Sequence, residues 1–224
     1  LDAIGVDVAW MGKNLTTEAL RAGFAILEIR QRAHQDPDTT ANEIEGLQRA
    51  RGGVAVIDTI GIGAGTFAKL KNHGCDVVGF NAGAAAVDHR GKPLTDDSGE
   101  LEFVDMRSAA QWRLRDLLNP SSGCPIALPD TAFVTGDLAA PRRLPPRSGG
   151  RMKVESKDDI AKRLKRSTDH GDAIVQAFAL ELLTRGQASY GAPIGIGKTW
   201  SGDLVTADDS DDDVNERDDR MFSA

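Results

Sequence analysis

Four carboxylates stand in sequence contexts where a carboxylate needs a partner. Asp7 lies inside a short apolar run near the start of the chain, and Asp58 ends another such run. Asp169 and Asp172 stand three residues apart at the start of an amphipathic stretch, a spacing that places both on one face of a helix. A carboxylate among apolar neighbours is costly unless it is paired or bound to metal. Clustered oxygen ligands suit Mg²⁺ or Mn²⁺, and two such ions can assist phosphodiester hydrolysis.

Each of these acids, taken alone, also has an ordinary structural interpretation. Asp58 would cap the turn that follows its strand, and Asp169 would be a first-turn acid favoured by the helix dipole. The chemical interpretation therefore depends on whether the fold brings the four side chains together.

Hydrophobic periodicity predicts the elements that must position these side chains. Strands are predicted at 3–9, 15–21, 24–32, 54–57, 76–80 and 125–128, and helices at 38–51, 66–72, 106–118, 156–166 and 169–184. The first three strands follow one another as an antiparallel meander, whereas the later ones need helical crossovers. We predict an α/β protein with a mixed sheet and helices on both faces. Adjacent parallel strands would place Asp7 and Asp58 side by side.

The charge of the chain is unevenly distributed. The formal net charge is −7, and residues 201–224 hold nine acidic and two basic residues. Residues 141–166 hold ten Lys and Arg against three Asp and Glu, which favours binding of a polyanion, although a solvated surface segment would look the same. No apolar run reaches the roughly 18 residues of a membrane helix. The two cysteines, Cys75 and Cys124, indicate neither a disulfide framework nor a zinc site.

Two glycine-rich motifs resemble nucleotide-binding sites, but the residues around each of them do not fit such a site. The segment from Gly191 ends in Gly-Lys-Thr, but its first glycine is one residue too early for a P-loop, and Pro193 removes a backbone N–H. No helix is predicted after it. The stretch Gly61-Ile-Gly-Ala-Gly65 follows a strand, but Thr66 stands where a dinucleotide site needs its third glycine. We interpret this second motif as a turn that lets the backbone pass close to a neighbour.

Four stretches in the same order resemble the C-terminal nuclease domain of phage terminase large subunits, which has an RNase H-like fold. The matching stretches are 4–9 with Gly12 after it, 56–65, 103–112 and 155–173, and the resemblance covers about residues 3–183. The sequence departs from the family at Asn14, where an acid is frequent, and at Thr168, where proline is frequent. Neither departure removes an expected metal ligand.

The resemblance implies a metal-dependent endonuclease that cuts concatemeric viral double-stranded DNA during genome packaging. Asp7, Asp58 and Asp172 would match the catalytic, metal-binding carboxylates, with Asp169 an additional or alternative ligand. In a mechanism with two Mg²⁺ or Mn²⁺ ions, Asp7 would bridge both ions, Asp58 would hold one and Asp172 the other. Phosphate contacts would come from the basic segment, at Lys153, Lys157, Arg163 and Arg166, with Arg142, Arg143 and Arg147 on a mobile loop.

The resemblance also implies which domains and partner proteins accompany such a nuclease. In that family an ATPase motor domain precedes the nuclease, and the small terminase subunit and the portal are partners in the host cytoplasm. Because the sequence starts at the first nuclease strand, we expect it to represent the nuclease domain alone. We assign residues 1–185 to that domain and 186–224 to a flexible acidic tail.

Three alternatives stay open. Another RNase H-like nuclease, such as a junction resolvase, would prefer branched DNA. A non-catalytic module that binds nucleic acid or assists assembly would bind DNA without cutting it. A nucleotide-binding protein would lose ATP binding on Lys198→Ala.

Overall fold

The computed structural model describes residues 1–9, 15–33, 36–145 and 150–184. The glycine-rich segment 191–200, the predicted acidic tail at 186–224 and Arg147 lie outside these residues, as do Gly12 and Asn14. Within the described ranges, no helix is long and apolar enough to cross a lipid bilayer.

The described residues contain one mixed sheet of five strands in the order β3-β2-β1-β4-β5. The strands are β1 (Ala3–Asp7), β2 (Thr16–Ala22), β3 (Ala25–Arg32), β4 (Val54–Asp58) and β5 (Val77–Phe80). The first three pair antiparallel as a meander, whereas β4 is parallel to β1 and β5 is parallel to β4. The predicted combination of an antiparallel meander with parallel strands is confirmed.

The α-helices of the described residues begin where the sequence offers caps. They are α1 (Pro37–Arg51), α2 (Gly63–Asn72), α3 (Met106–Leu118), α4 (Ala132–Leu138), α5 (Lys157–Leu164) and α6 (Asp169–Thr184). Asp36, Asp105, Thr131 and Ser156 each accept a hydrogen bond from a first-turn backbone amide of the helix that follows. Such caps satisfy amides that have no partner inside the helix. The cap of α1 is Asp36, whose side chain accepts from the amides of Asp38 and Thr39.

Helices cover both faces of the sheet, as predicted. Ile4 and Ile57 point to one face, where they pack with Ile44 of α1 and Leu70 of α2. Val56 points to the opposite face and joins the core formed with α6 and α3. This alternation follows from the two-residue side-chain period of a strand.

The helix α6 lies unusually close to β1 because a glycine removes the side chain between them. A Cβ atom on Gly5 would stand 2.0 Å from the carbonyl oxygen of Ala173 and 2.4 Å from the amide nitrogen of Ala177. Asp7 points to the same face two residues later. The approach therefore carries the first turn of α6 toward the end of β1.

Two elements differ from the sequence prediction. The predicted strand 125–128 is reduced to a single bridge between Ala127 and Ala25, so it extends the sheet by one contact only. The short helix α4 was not predicted. Its signal was Thr131, whose hydroxyl accepts a hydrogen bond from the amide of Val134 at 3.2 Å.

The glycine-rich turn after β4 lets the backbone pass close to a neighbouring segment, as we interpreted it from the sequence. The helix α2 begins at Gly63, three residues before the predicted start. A Cβ atom on Gly63 would stand 2.1 Å from the carbonyl oxygen of Asp58. Glycine therefore lets the helix start directly against the end of the strand.

The contact at Gly5 predicts the effect of one added methyl group. Gly5→Ala should lower the free energy of unfolding by about 3 kcal/mol, because the methyl group would overlap the backbone of α6. Gly46→Ala is the matched control, since nothing lies within 4 Å of a Cβ there and α1 gains helix propensity of about 0.5–1 kcal/mol. Urea unfolding measures both. Similar effects of the two substitutions would contradict the close approach.

Candidate active site

Two predicted site residues end adjacent parallel strands. The last pair that joins β1 to β4 is Val6 with Ile57, and Asp7 and Asp58 follow these two residues directly. Both carboxylates thus lie at the carboxyl edge of the sheet, where ligands bind in open α/β sheets.

A lysine gathers three of the predicted carboxylates around one charged atom. The Lys157 Nζ lies 2.7 Å from Asp7 Oδ2, 3.2 Å from Asp172 Oδ2 and 3.6 Å from Asp169 Oδ1. The three carboxylates are at most 14% exposed, whereas 36% of the lysine side chain is exposed. The sequence marked Lys157 as a phosphate contact and gave no sign of this ion-pair cluster, which joins elements 150 residues apart.

Burial and like charges oppose ionisation of Asp7. Burial raises the pKa of Asp7 from its ordinary value of 3.8 to about 7, against the attraction of Lys157. The charges of Asp172 and Asp169 raise it further. The pKa of Lys157 is raised despite burial, since Asp7 and Asp172 stabilise its charged form. The site thus holds more negative charge than its one central ammonium neutralises.

A second cation fixes Asp172. Burial disfavours the carboxylate, but Lys157 and Arg107 together hold the pKa of Asp172 below its ordinary value. Arg107 Nη1 donates to Asp172 Oδ1 at 3.1 Å, and the Thr168 hydroxyl donates to Oδ2 at 2.9 Å. The other terminal nitrogen of Arg107 is buried and has no hydrogen-bond partner among the described residues. Arg107 lies in the matching stretch 103–112, but its sequence context gives no sign of this contact.

Asp58 occupies the edge of this cluster. Its Oδ1 accepts a hydrogen bond from the backbone amide of Ile60 at 2.9 Å, so it closes the turn after β4 as its structural interpretation predicted. Burial raises the pKa of Asp58 above its ordinary value, and the negative charge of Asp172 raises it further. The positive charge of Lys157 acts in the opposite direction without cancelling the rise. The turn and the site therefore use the same side chain.

A buried aspartate that sequence analysis missed supports the first turn of α6. Asp137 of α4 is 1% exposed, and its Oδ2 accepts hydrogen bonds from the backbone amides of His170 at 3.1 Å and Gly171 at 3.2 Å. Its other oxygen pairs with Arg166. The cap satisfies amides at the start of the helix that carries Asp169 and Asp172.

Gln176 ties α6 to both site strands. In the amide orientation that satisfies its neighbours, its side-chain nitrogen donates to the carbonyls of Val6 at 2.7 Å and Val56 at 3.0 Å. The residue is buried and lies one helical turn after Asp172. This contact holds the helix and the two strands in register beneath the carboxylates.

The basic residues predicted to contact phosphate divide into engaged and exposed groups. Arg163 pairs with Glu155 and donates to the Ala140 carbonyl at 2.7 Å, and Lys153 lies 3.9 Å from Asp105. Arg166 pairs with Asp137 but keeps 39% of its side chain exposed. Arg142 and Arg143 are exposed, and Arg143 lies over the Trp112 ring at 5.8 Å from its centre.

Comparison with known proteins finds structural matches only. A scan against protein-family models and a search of curated proteins return no match. The nuclease domain of the large terminase subunit gp2 of bacterial virus Sf6 matches with a TM-score of 0.64 at 16% identity, covering 79% of this chain and 86% of that one. The chain has the RNase H-like fold of this domain.

Variants of the same Sf6 domain give equal agreement. The match to the variant with calcium covers 87% of that chain, and the match to the variant with manganese and beta-thujaplicinol covers 86%. Both have a TM-score of 0.64 at 16% identity over 79% of the present chain. At this identity the likeness establishes the fold, and the chemistry must be argued from the residues of this chain.

The raised pKa of Asp7 predicts how the metal-free protein responds to pH. The folded state keeps a proton on Asp7 up to about pH 7, whereas the unfolded chain releases it near its ordinary pKa of 3.8. Stability from this group is therefore fully present below pH 3.8 and is lost as the pH rises to about 7. The side chain of Asp7→Asn stays neutral at every pH. The free energy of unfolding of this variant should therefore exceed that of the wild type by on the order of 2–4 kcal/mol at pH 8, and by less at pH 5.

Urea unfolding in EDTA at the two pH values measures this difference. Asp38→Asn on α1 is the control, because that carboxylate is 76% exposed and pairs only at the surface with Lys69. An Asp7→Asn protein no more stable than the wild type at pH 8 would contradict the assigned direction of the pKa.

Proposed function

We propose that this chain is a metal-dependent endonuclease that hydrolyses phosphodiester bonds of DNA. The observation that carries the proposal is the convergence of Asp7, Asp169 and Asp172 on one cationic atom at the carboxyl edge of the sheet. The likeness in fold to terminase nuclease domains supports the choice of reaction.

The donor set fits a divalent cation. The described residues contain no group of three or more His, Cys, Asp or Glu already arranged around a metal position. Instead, the Lys157 ammonium stands among the carboxylate oxygens, and an ammonium there marks a place where positive charge is stabilised. Oxygen ligands of this type suit Mg²⁺ or Mn²⁺. Asp7, Asp169 and Asp172 would hold the metal, with Asp58 beside them.

Two ions are the form that we propose, as the sequence resemblance implied. Divalent ions bound here would lower the pKa of a bound water and stabilise the leaving oxygen of the cleaved ester. Asp7 and Asp58 would supply ligands from rigid strand ends, and Asp172 would supply one from the capped first turn of α6. Arg107 keeps Asp172 ionised and oriented. The solved terminase nucleases with manganese or calcium bound support the use of a divalent ion.

The substrate that we propose is double-stranded DNA. The basic segment 141–166 leads directly into the site, because Lys157 belongs to it. Lys162 and Lys165 are exposed on the same segment and would add backbone contacts that position DNA without reading its sequence. The proposed role is cleavage of concatemeric viral DNA during packaging, with an ATPase domain, a small terminase subunit and a portal as partners.

Plasmid nicking tests the activity. The purified chain should nick supercoiled plasmid with Mn²⁺ or Mg²⁺ but not in EDTA, and Asp58→Asn should reduce the rate at least a hundredfold because it removes a ligand charge. Asp38→Asn, an exposed acid on α1, should cleave as the wild type does. DNA binding without metal-dependent cleavage would favour the non-catalytic module, and preference for branched DNA would favour a junction resolvase.

Lys157 predicts a competition between its ammonium and the metal. Removing a positive charge within 4 Å of three carboxylates should strengthen binding of a divalent cation, so Lys157→Ala should bind Mn²⁺ about tenfold more tightly. Titration calorimetry measures the affinity without reference to catalysis. Lys162→Ala is the control, since this lysine is 78% exposed and pairs at the surface with Asp159. Unchanged or weaker Mn²⁺ binding by Lys157→Ala would contradict the competition.

A further inference from the structure

An aromatic ring stands exposed beside the carboxylate cluster. Phe133 of α4 is 60% exposed, more than any other large apolar side chain in the described part of the chain. A core position was available on the same helix, where Val134 is 2% exposed. The exposed ring is therefore not explained by packing within this domain.

The ring is held in a fixed orientation. It stacks on the His170 imidazole, with the ring centres 5.5 Å apart and the planes 15° from parallel. Asp137 lies one helical turn after Phe133 and caps α6 through the amides of His170 and Gly171. The buried cap thus fixes α4 against α6, and the stack follows from that arrangement.

The stack borders the proposed cleavage site. His170 directly follows Asp169, whose carboxylate lies 3.6 Å from the Lys157 ammonium. Basic residues lie on the neighbouring backbone: a terminal nitrogen of Arg166, which pairs with Asp137, lies 3.0 Å from where a Cβ on Gly136 of α4 would be. Lys165, the residue before Arg166, is exposed. An exposed aromatic face near basic residues is the combination with which proteins bind single strands of nucleic acid.

We propose that Phe133 is a stacking platform for an unpaired base of the DNA next to the cleaved bond. This inference rests on the proposed nuclease function and names the form of its substrate. His170 covers one face of the ring, and the base would stack on the exposed side. Bases inside a duplex show only their edges, so the platform selects DNA that is locally opened, frayed or bulged. The stack would position the opened strand, while the carboxylates carry the chemistry.

Binding to matched duplexes tests the platform. Two fluorescein-labelled duplexes of equal length, one fully paired and one with a central three-nucleotide bulge, are titrated with the full chain in Ca²⁺. Wild type should bind the bulged duplex roughly tenfold more tightly, and Phe133→Ala should abolish that preference. Phe133→Trp should retain it, because the larger ring still stacks. Leu27→Ala on β3, which is 55% exposed, is the matched control.

A photocrosslink gives a second readout. A 5-iodouracil in the bulge should crosslink to Phe133, and peptide mapping identifies the site. Three results would overturn the platform. The wild type would show no preference for the bulge, or Phe133→Ala would keep the preference, or Phe133→Ala would lose affinity for both duplexes equally. The last result would assign Phe133 to a general DNA contact that does not depend on an unpaired base.

Nicking by the same preparations separates the two proposals. If the wild type cuts plasmid and Asp58→Asn does not, failure of the binding tests contradicts the stacking role of Phe133 alone. The proposed nuclease function then stands. If the wild type neither binds nor cuts DNA, both proposals fail together.

Discussion

The close approach of α6 to β1 is the constraint on which the candidate site depends. Gly5 has no side chain, so the backbone of α6 can lie directly on the strand. That contact brings Asp169 and Asp172 to the end of β1, where Asp7 already stands. A larger residue at position 5 would separate the helix from the strand and the carboxylates from one another. A packing constraint in the core thereby sets the chemistry at the edge.

The electrostatic cost of this arrangement explains the residues around it. Buried carboxylates that face each other raise the pKa of Asp7 and require nearby positive charge. Lys157 and Arg107 supply it, and each is held by the acids that it stabilises. Lys157 therefore stands where the proposed divalent cation would be bound, among the same carboxylate oxygens.

The same first turn of α6 links stability to the proposed substrate contact. Asp137 caps the turn from below, and the helix that carries it also presents Phe133 at the surface. A single buried carboxylate therefore fixes both the ligand-bearing turn and the exposed ring. The short helix α4 is therefore more than a connection between α3 and α5, although its sequence shows only a threonine cap before a short apolar run.

The sequence by itself determined five of the six strands that we predicted, the mixed sheet, and the acids Asp7 and Asp58 at the ends of two strands. Apolar periodicity and short local signals are enough for these, because they act between neighbouring residues. Asp7 and Asp58 could be paired from strand order alone. The predicted strand at 125–128 was wrong, and α4 was missed, because a four-residue apolar run and a seven-residue helix carry little periodicity.

Only the tertiary structure decided what surrounds the acids. Lys157, Arg107 and Asp137 reach the site from distant parts of the chain, and their side chains meet the acids only because α6 lies flat on the sheet. In the sequence Arg107 and Asp137 look like ordinary charged surface residues, and Lys157 looks like a phosphate contact. Charge pairing across long separations depends on distances of a few ångströms, and those distances are set by helix packing rather than by local sequence.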